Sequence, residues 1–186
     1  MNGATEARPS FAQLSSERRW AASLTATALA IASLAHFGLG ARGLISAGFV
    51  CCLSVLAAID LDSRVIPNRI VLPSAGIVLA AQIVFFPDHA LEWIACGLGA
   101  ALALFLPTLF KAEAIGMGDV KLALLLGVGL GVNAAMALLL GSLAAAPAAI
   151  WILATRGLAA RTETIPLGPF LAVGGVLALF LGDLPN

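Results

Sequence analysis

The sequence predicts an all-α, polytopic membrane protein, a bundle of seven apolar helices. Of its 186 residues, 61% are hydrophobic and only 11% are charged, and the mean hydropathy is +1.03. Soluble domains carry about 25% charged residues, so this composition is typical of a membrane protein. The net charge is zero, which excludes the basic surface that a nucleic-acid-binding protein needs. We therefore expect membrane lipid, and no nucleic acid, around this chain.

Apolar stretches long enough to cross a hydrocarbon core of about 30 Å alternate with short polar segments. Residues 1–19 are polar and are predicted to be a cytoplasmic N-terminal segment. The first apolar span is 20–40, and one membrane domain is predicted over 43–184. The apolar runs within that domain are 43–59, 70–86, 91–110, 122–154 and 167–184.

The run that follows Lys121 is too long for one crossing. It continues for 33 residues to Ala154, with Asn133 and Ser142 as its polar interruptions. At 1.5 Å per residue an unbroken helix would measure about 50 Å. We therefore predict a break near Gly131-Val132-Asn133, which gives seven spans.

The seven-span arrangement also predicts how the positive charges are distributed. With the N-terminus inside, nine of the ten Lys and Arg residues fall on the cytoplasmic side and only Arg42 falls outside, as the positive-inside rule requires. The nine are Arg8, Arg18, Arg19, Arg64, Arg69, Lys111, Lys121, Arg156 and Arg161. We interpret Arg64 and Arg69 as lipid anchors. In the alternative interpretation, Arg18-Arg19 and Ser33-Leu34-Ala35 belong to a cleavable signal sequence, which would leave six spans.

Two acidic clusters lie at ends of spans that this topology places on one membrane side. Asp60 and Asp62 follow the second span, and Asp119 ends the sequence Gly116-Met117-Gly118-Asp119 before the fifth. Ionisable groups at such positions are costly and indicate a functional site. Two adjacent carboxylates do not ionise together readily; they share a proton and can activate a water for attack on a peptide carbonyl. This chemistry needs no metal or other cofactor.

Three segments, each at a predicted helix boundary, resemble motifs of the type IV prepilin peptidases, which are aspartyl intramembrane proteases of the GxGD type. The first runs from Asp60 to Ile-Pro67-Asn68, the second is the GMGD sequence with Lys121 two residues later, and the third is Pro-Leu-Gly168-Pro-Phe. The resemblance covers about residues 45–180. It implies that Asp60 and Asp119 are catalytic. The other motif positions are Gly116, Gly118, Lys121, Pro67, Asn68, Pro166, Gly168 and Pro169.

The resemblance also implies the fold, the substrate and the location. It predicts a six-helix peptidase core with one extra N-terminal transmembrane helix, in the bacterial inner membrane, with the active site facing the cytoplasm. The substrates would be prepilins or pseudopilins, as in the short Flp/Tad-type form of the family. The long forms carry a domain with paired CxxC motifs and also N-methylate the pilin. The cysteines here are Cys51, Cys52 and Cys96, which we interpret as packing residues, so no N-methyltransferase activity is expected.

Two further interpretations use the same carboxylates differently. In a proton-coupled transporter Asp60 and Asp119 would form a relay, which requires more ionisable groups at mid-membrane depth, and His36 is the one clear candidate. In an inactive scaffold of a secretion machine, either aspartate could be lost without effect. We interpret Asp62 as a solvated loop residue rather than a catalytic one. Lys121 either orients the substrate or snorkels to the cytoplasmic surface.

Overall fold

The computed structural model describes residues 16–110, 116–156 and 166–182, and within these ranges every regular element is helical. This confirms the predicted all-α helix bundle. Five segments are long and apolar enough to cross a membrane; the last of them, Met117–Trp151, includes a break. The α-helices of the described residues are α1 Ser16–Phe37, α2 Ala41–Ser63, α3 Asn68–Phe85, α4 Ala90–Phe110, α5 Met117–Leu130, α6 Ala134–Arg156 and α7 Gly168–Leu181.

Two helices extend beyond the apolar runs that predicted them. Helix α1 begins at Ser16, so Arg18 and Arg19 belong to the helix and not to a polar lead-in. Helix α2 continues past Asp60 to Ser63, where the Ser63 hydroxyl donates to the Ile59 carbonyl, and the chain leaves the helix at Arg64. Polar residues tolerate a helix end that projects from the apolar layer, so hydropathy alone placed the start of α1 too late and the end of α2 too early. Asp62 is therefore helical, and its interpretation as a loop residue was wrong.

The predicted break near residues 131–133 is confirmed. Helix α5 ends at Leu130, and Gly131 begins a single 3₁₀ turn with a φ of +57°, a conformation that favours glycine. The side chain of Gln82 lies at this helix end, where its Nε2 donates to the carbonyls of Val128 and Gly129 at 2.9 and 3.2 Å. These buried carbonyls would otherwise lack a partner, because the last turn of a helix leaves its acceptors free.

The chain reverses direction at this turn, as the packing of α7 on α6 shows. A Cβ on Gly141 of α6 would lie 2.9 Å from the Cα of Leu171, near the start of α7. A Cβ on Gly182, just beyond α7, would lie 2.5 Å from the amide carbon of Asn133. Helix α6 therefore runs back from Asn133 toward the end of the bundle at which α7 begins.

The bundle consequently has two distinct ends. The N-termini of α3, α5 and α7 lie at one end, which we call the Asp60 end. Arg42 lies at the opposite end, with its guanidinium carbon 5.1 Å from the ring centre of Phe86 at the end of α3. This arrangement agrees with the predicted separation of Arg42 from Arg18, Arg64 and Lys121. Which membrane face the Asp60 end occupies remains a prediction.

Helix α5 lies in the centre of the bundle and carries Asp119 at its start. Its residues from Leu125 to Leu130 are all buried. Helix α4 approaches closely where Gly97 faces Gly127, since a Cβ on Gly127 would lie 2.5 Å from the Cα of Gly97. Small residues at such crossings let helix backbones approach in lipid, where packing rather than the hydrophobic effect holds helices together. This contact holds α4 against α5.

Candidate active site

Asp60 lies in the last turns of α2 and is 4% exposed. Its Oδ2 accepts a hydrogen bond of 3.1 Å from the backbone N–H of Gly168 at the start of α7. A Cβ on Gly168 would lie only 2.6 Å from the same oxygen, so a residue without a side chain is required here. After Asp60 the helix is closed by the Arg64 N–H, which donates to the Asp60 carbonyl at 2.8 Å while Arg64 adopts a φ of 53°.

Asp119 lies in the first turn of α5 and is half-buried. Gly116 precedes the helix in an extended conformation, and its carbonyl accepts the N–H of Asp119 at 3.0 Å. A side chain at either glycine would contact a neighbouring residue. A Cβ on Gly116 would lie 3.3 Å from the Asp119 Oδ2, and one on Gly118 would lie 3.0 Å from the Cβ of Ile66. The GMGD sequence thus lets α5 begin directly against the α2–α3 loop.

The two carboxylates line one cavity of about 170 Å³ at the Asp60 end. We call it the carboxylate cavity. It is large enough for a few water molecules. Asp60 reaches it from the last turns of α2 and Asp119 from the first turn of α5. The cavity is lined by Asp60, Arg64, Val65, Ile66, Gly116, Gly118, Asp119, Pro166 and Leu167.

Three segments that are far apart in the sequence therefore converge on this cavity. They contain Asp60, Asp119 and Pro166, and they are the three segments that carried the family resemblance. Arg64 was interpreted from the sequence as a lipid anchor, but it lines the cavity, and its charge acts on Asp60. The sequence signal for this role was that Arg64 lies between Asp60 and Pro67, inside the first of the three segments.

Lys121 does not line the carboxylate cavity but joins two of the segments that form it. Its Nζ donates a 2.7 Å hydrogen bond to the Oδ1 of Asn68, the first residue of α3. Pro67 precedes that residue, and its carbonyl accepts the N–H groups of Ile70 and Val71 in the first turn. The contact ties the start of α5, and with it Asp119, to the start of α3.

We expect Lys121→Met to lower kcat/KM about tenfold for the peptide cleavage that the resemblance implies, because Asp119 would lose one of the contacts that position α5. Asn68→Ala should have a similar effect, and the double variant should be little worse than either single one, since both remove the same hydrogen bond. A double-mutant cycle on kcat/KM measures this. Additive losses would show that the two side chains do not act as a pair.

Asp62 lies outside the carboxylate cavity and forms an ion pair with Arg18 of α1. The two side chains are 35% and 55% exposed, and exposed ion pairs contribute little to stability. We expect Asp62→Asn to leave the rate of the peptide cleavage that the resemblance implies within about threefold of wild type. This carboxylate touches neither Asp119 nor the cavity. Rates measured in membranes with matched protein levels test this. A loss as large as that of an Asp60 variant would place Asp62 in the site.

The proline and glycine positions at the start of α7 have separate roles. Pro166 lines the carboxylate cavity, and Gly168 touches Asp60 directly. Pro169 occupies the first turn of α7, where its missing N–H costs no helical hydrogen bond. Residues 157–165, which connect α6 to this segment and include Arg161, lie outside the described residues, as does Lys111.

The helix bundle and its carboxylate cavity define a multi-pass membrane protein with two acidic groups at one end. Comparison with known proteins gives the family. The sequence model of the type IV leader peptidase family matches residues 47–153, and the chain belongs to that family. The match includes both Asp60 and Asp119.

The chain is similar to several proteins named prepilin leader peptidase/N-methyltransferase. It is 36% identical to the protein of Burkholderia pseudomallei (strain 1026b) over 165 residues, which cover 86% of this chain and 53% of that protein. It is 31% identical to the Bacillus subtilis (strain 168) protein over 171 residues, 88% of this chain and 66% of that one. The chain thus spans about half to two thirds of the length of these curated relatives. No solved structure matches the chain significantly.

Proposed function

We propose that this protein is an aspartyl endopeptidase that removes the leader from prepilin-like precursors of the Flp and type IV kind. One observation carries the proposal: in a chain of the type IV leader peptidase family, Asp60 and Asp119 come from different helices and line one cavity. A pair of carboxylates around a water is the arrangement that aspartic proteases use. The transporter and scaffold interpretations give no reason for the three family segments to meet there.

In the proposed reaction, one carboxylate of the pair is ionised and takes a proton from a water in the carboxylate cavity. The oxygen of that water attacks the scissile carbonyl, while the protonated partner donates a hydrogen bond to the carbonyl oxygen and stabilises its developing charge. The tetrahedral intermediate then collapses. The C–N bond breaks, the leaving nitrogen takes a proton from the pair, and the products are a new carboxylate and a new amine. The pair thus relays one proton from the water to the leaving nitrogen, and the two carboxyls return to their starting state with one shared proton.

The surrounding residues hold the pair in position. The Gly168 N–H fixes the orientation of the Asp60 carboxylate, and Arg64 places a positive charge beside it. Gly118 lets the start of α5 pack against Ile66, while Gly116 is exposed and leaves its backbone open to an extended substrate strand. Lys121 acts through Asn68 as a positioning residue.

The proposed site faces the cytoplasm from the bacterial inner membrane. Arg64, which lines the cavity, and Lys121, bonded beside it, lie at the Asp60 end of the bundle. Arg42 lies at the other end, against Phe86. The positive-inside rule then places the Asp60 end on the cytoplasmic side. Labelling single cysteines at positions 64 and 42 with an impermeant reagent in intact cells and in inverted vesicles would test this. Labelling of position 64 from outside intact cells would reverse the orientation.

The test of the activity is cleavage of an Flp-type prepilin by the purified wild-type chain in lipid vesicles. We expect a single cut before the apolar helix, identified by the mass of both products, and no loss of rate in the presence of a chelator. No cleavage of any of several prepilins, by protein shown to be folded, would contradict the proposal.

Methyl transfer is a separate question, because the relatives' names include N-methyltransferase. We propose that the peptidase reaction alone belongs to this chain. The mass of the mature pilin N-terminus, after incubation with S-adenosylmethionine, distinguishes the two cases. An added methyl group that depends on this chain would contradict the prediction.

A further inference from the structure

A groove of about 630 Å³ opens between α1, α2 and α7. It is separate from the carboxylate cavity, and we call it the α1–α2–α7 groove. Alanines contribute to all three of its walls, and the larger side chains that line it, apart from Arg18, are apolar. The alanines that line it are Ala21, Ala22, Ala57, Ala58 and Ala172.

The groove begins beside the carboxylate cavity and leads away from it. Leu61 of α2 lines it, next in sequence to Asp60, and so does Pro169 of α7, next to Gly168. Asp60 and Gly168 are hydrogen-bonded to each other. Along α2 the lining extends from Leu61 back to Leu53, which is about 12 Å, or two helical turns. A segment lying in the groove would therefore end next to the proposed catalytic pair.

The walls suit a helix as the occupant. Small residues on facing helices let a further helix backbone approach closely in lipid. The hydroxyls in the lining are already used: Thr25 donates to the Ala21 carbonyl at 2.7 Å and Ser54 to the Val50 carbonyl at 2.8 Å. The apolar part of the groove thus presents no hydroxyl in need of a partner. Its charged member, Arg18, lies at the Asp60 end, where it pairs with Asp62.

We propose that the α1–α2–α7 groove binds the apolar helix of the substrate, directly after the cleavage site, and that α1 forms its outer wall. This inference rests on the proposed function, since that function requires a substrate whose apolar helix follows the scissile bond. A helix held here has its N-terminal end at the Asp60 end, so the preceding residues can extend into the carboxylate cavity. A lipid acyl chain would fill the groove without placing a peptide bond at the carboxylates.

Photo-crosslinking tests this placement without requiring catalysis. The photoreactive residue p-benzoylphenylalanine would replace Thr25, which lines the groove, or Thr27, an exposed threonine of the same helix outside the groove. Both hydroxyls bond to the carbonyl four residues earlier, so the two positions are matched. In an Asp119→Asn background, which keeps the tagged prepilin uncut, we expect a prepilin adduct at position 25 and little at position 27. Equal adducts at both, or only a lipid adduct at position 25, would overturn the inference.

Filling the groove gives a second measurement. Ala58→Leu adds a bulky side chain to the α2 wall, and we expect it to raise KM for prepilin about tenfold. Ala28→Leu, at an exposed position of α1 outside the lining, should leave KM unchanged. Unchanged KM in Ala58→Leu would overturn the proposed binding site. Failure of wild type to cut prepilin would contradict the proposed function instead, while the crosslinking result would still report what occupies the groove.

Discussion

Asp60→Asn and Asp119→Asn should each abolish processing of prepilin, lowering the rate by about 10³-fold or more. Asparagine has nearly the shape of aspartate, and its side-chain oxygen can still accept the Gly168 N–H, so the bundle should remain folded. It cannot take a proton from water or share one with its partner, and the pair would lose both its base and its acid.

The control for this prediction is Asp88→Asn, since Asp88 lies in the turn between α3 and α4, at the opposite end of the bundle. It makes the same chemical change and should process prepilin at the wild-type rate. Rates should be compared between purified samples of wild type and each variant that are equally monodisperse. If either variant of the pair kept more than about a tenth of wild-type activity, that aspartate would not be part of the catalytic machinery.

Gly168→Ala should reduce kcat/KM by about 10²-fold, although it changes neither charge nor hydrogen-bonding capacity. The added methyl group would meet Oδ2 of Asp60 at 2.6 Å. That contact is too short, so either the carboxylate turns away from the cavity or the start of α7 moves. Both shifts break the alignment of Asp60 with Asp119. The expected loss is in kcat more than in KM, because the groove that binds the apolar helix is not filled.

Gly76→Ala is the matched control, because a Cβ at Gly76 in α3 would meet nothing within 4 Å. It should keep full activity and gain slightly in helix stability. Thermal unfolding of both variants in detergent separates loss of the site from loss of the fold. Wild-type activity in Gly168→Ala would show that Asp60 need not hold its observed orientation. Unfolding of this variant alone would point to a packing role for Gly168.

The helices were predictable because apolar runs alternate with short polar segments, as in chains that cross a bilayer several times. The lengths vary, since α5 and α7 have 14 residues each. The break at Gly131 was predictable because 33 residues exceed one crossing. Helix ends were less predictable. Ser16 and Ser63 are polar, yet both are helical, because a helix can project from the apolar layer once its backbone groups have partners.

The residues proposed for catalysis were identified from local motifs, but their surroundings were not. Arg64 was interpreted as a lipid anchor and lies instead on the carboxylate cavity. Asp62 was interpreted as a loop residue and pairs with Arg18, 44 positions earlier. Such contacts depend on how helices pack and rotate against one another, which hydropathy does not report.

The sequence by itself determined the class of protein, the order of the helices in the described residues, and the three segments that resemble motifs of the family. These properties depend on composition, span length and local motifs, all of which are read along the chain. Only the tertiary structure decided that Gly168 bonds to Asp60 across 108 positions and that α1, α2 and α7 enclose a groove. The physical reason is that contacts between helices depend on where small residues let two helix backbones approach in lipid. The sequence of one helix does not specify which other helix it packs against.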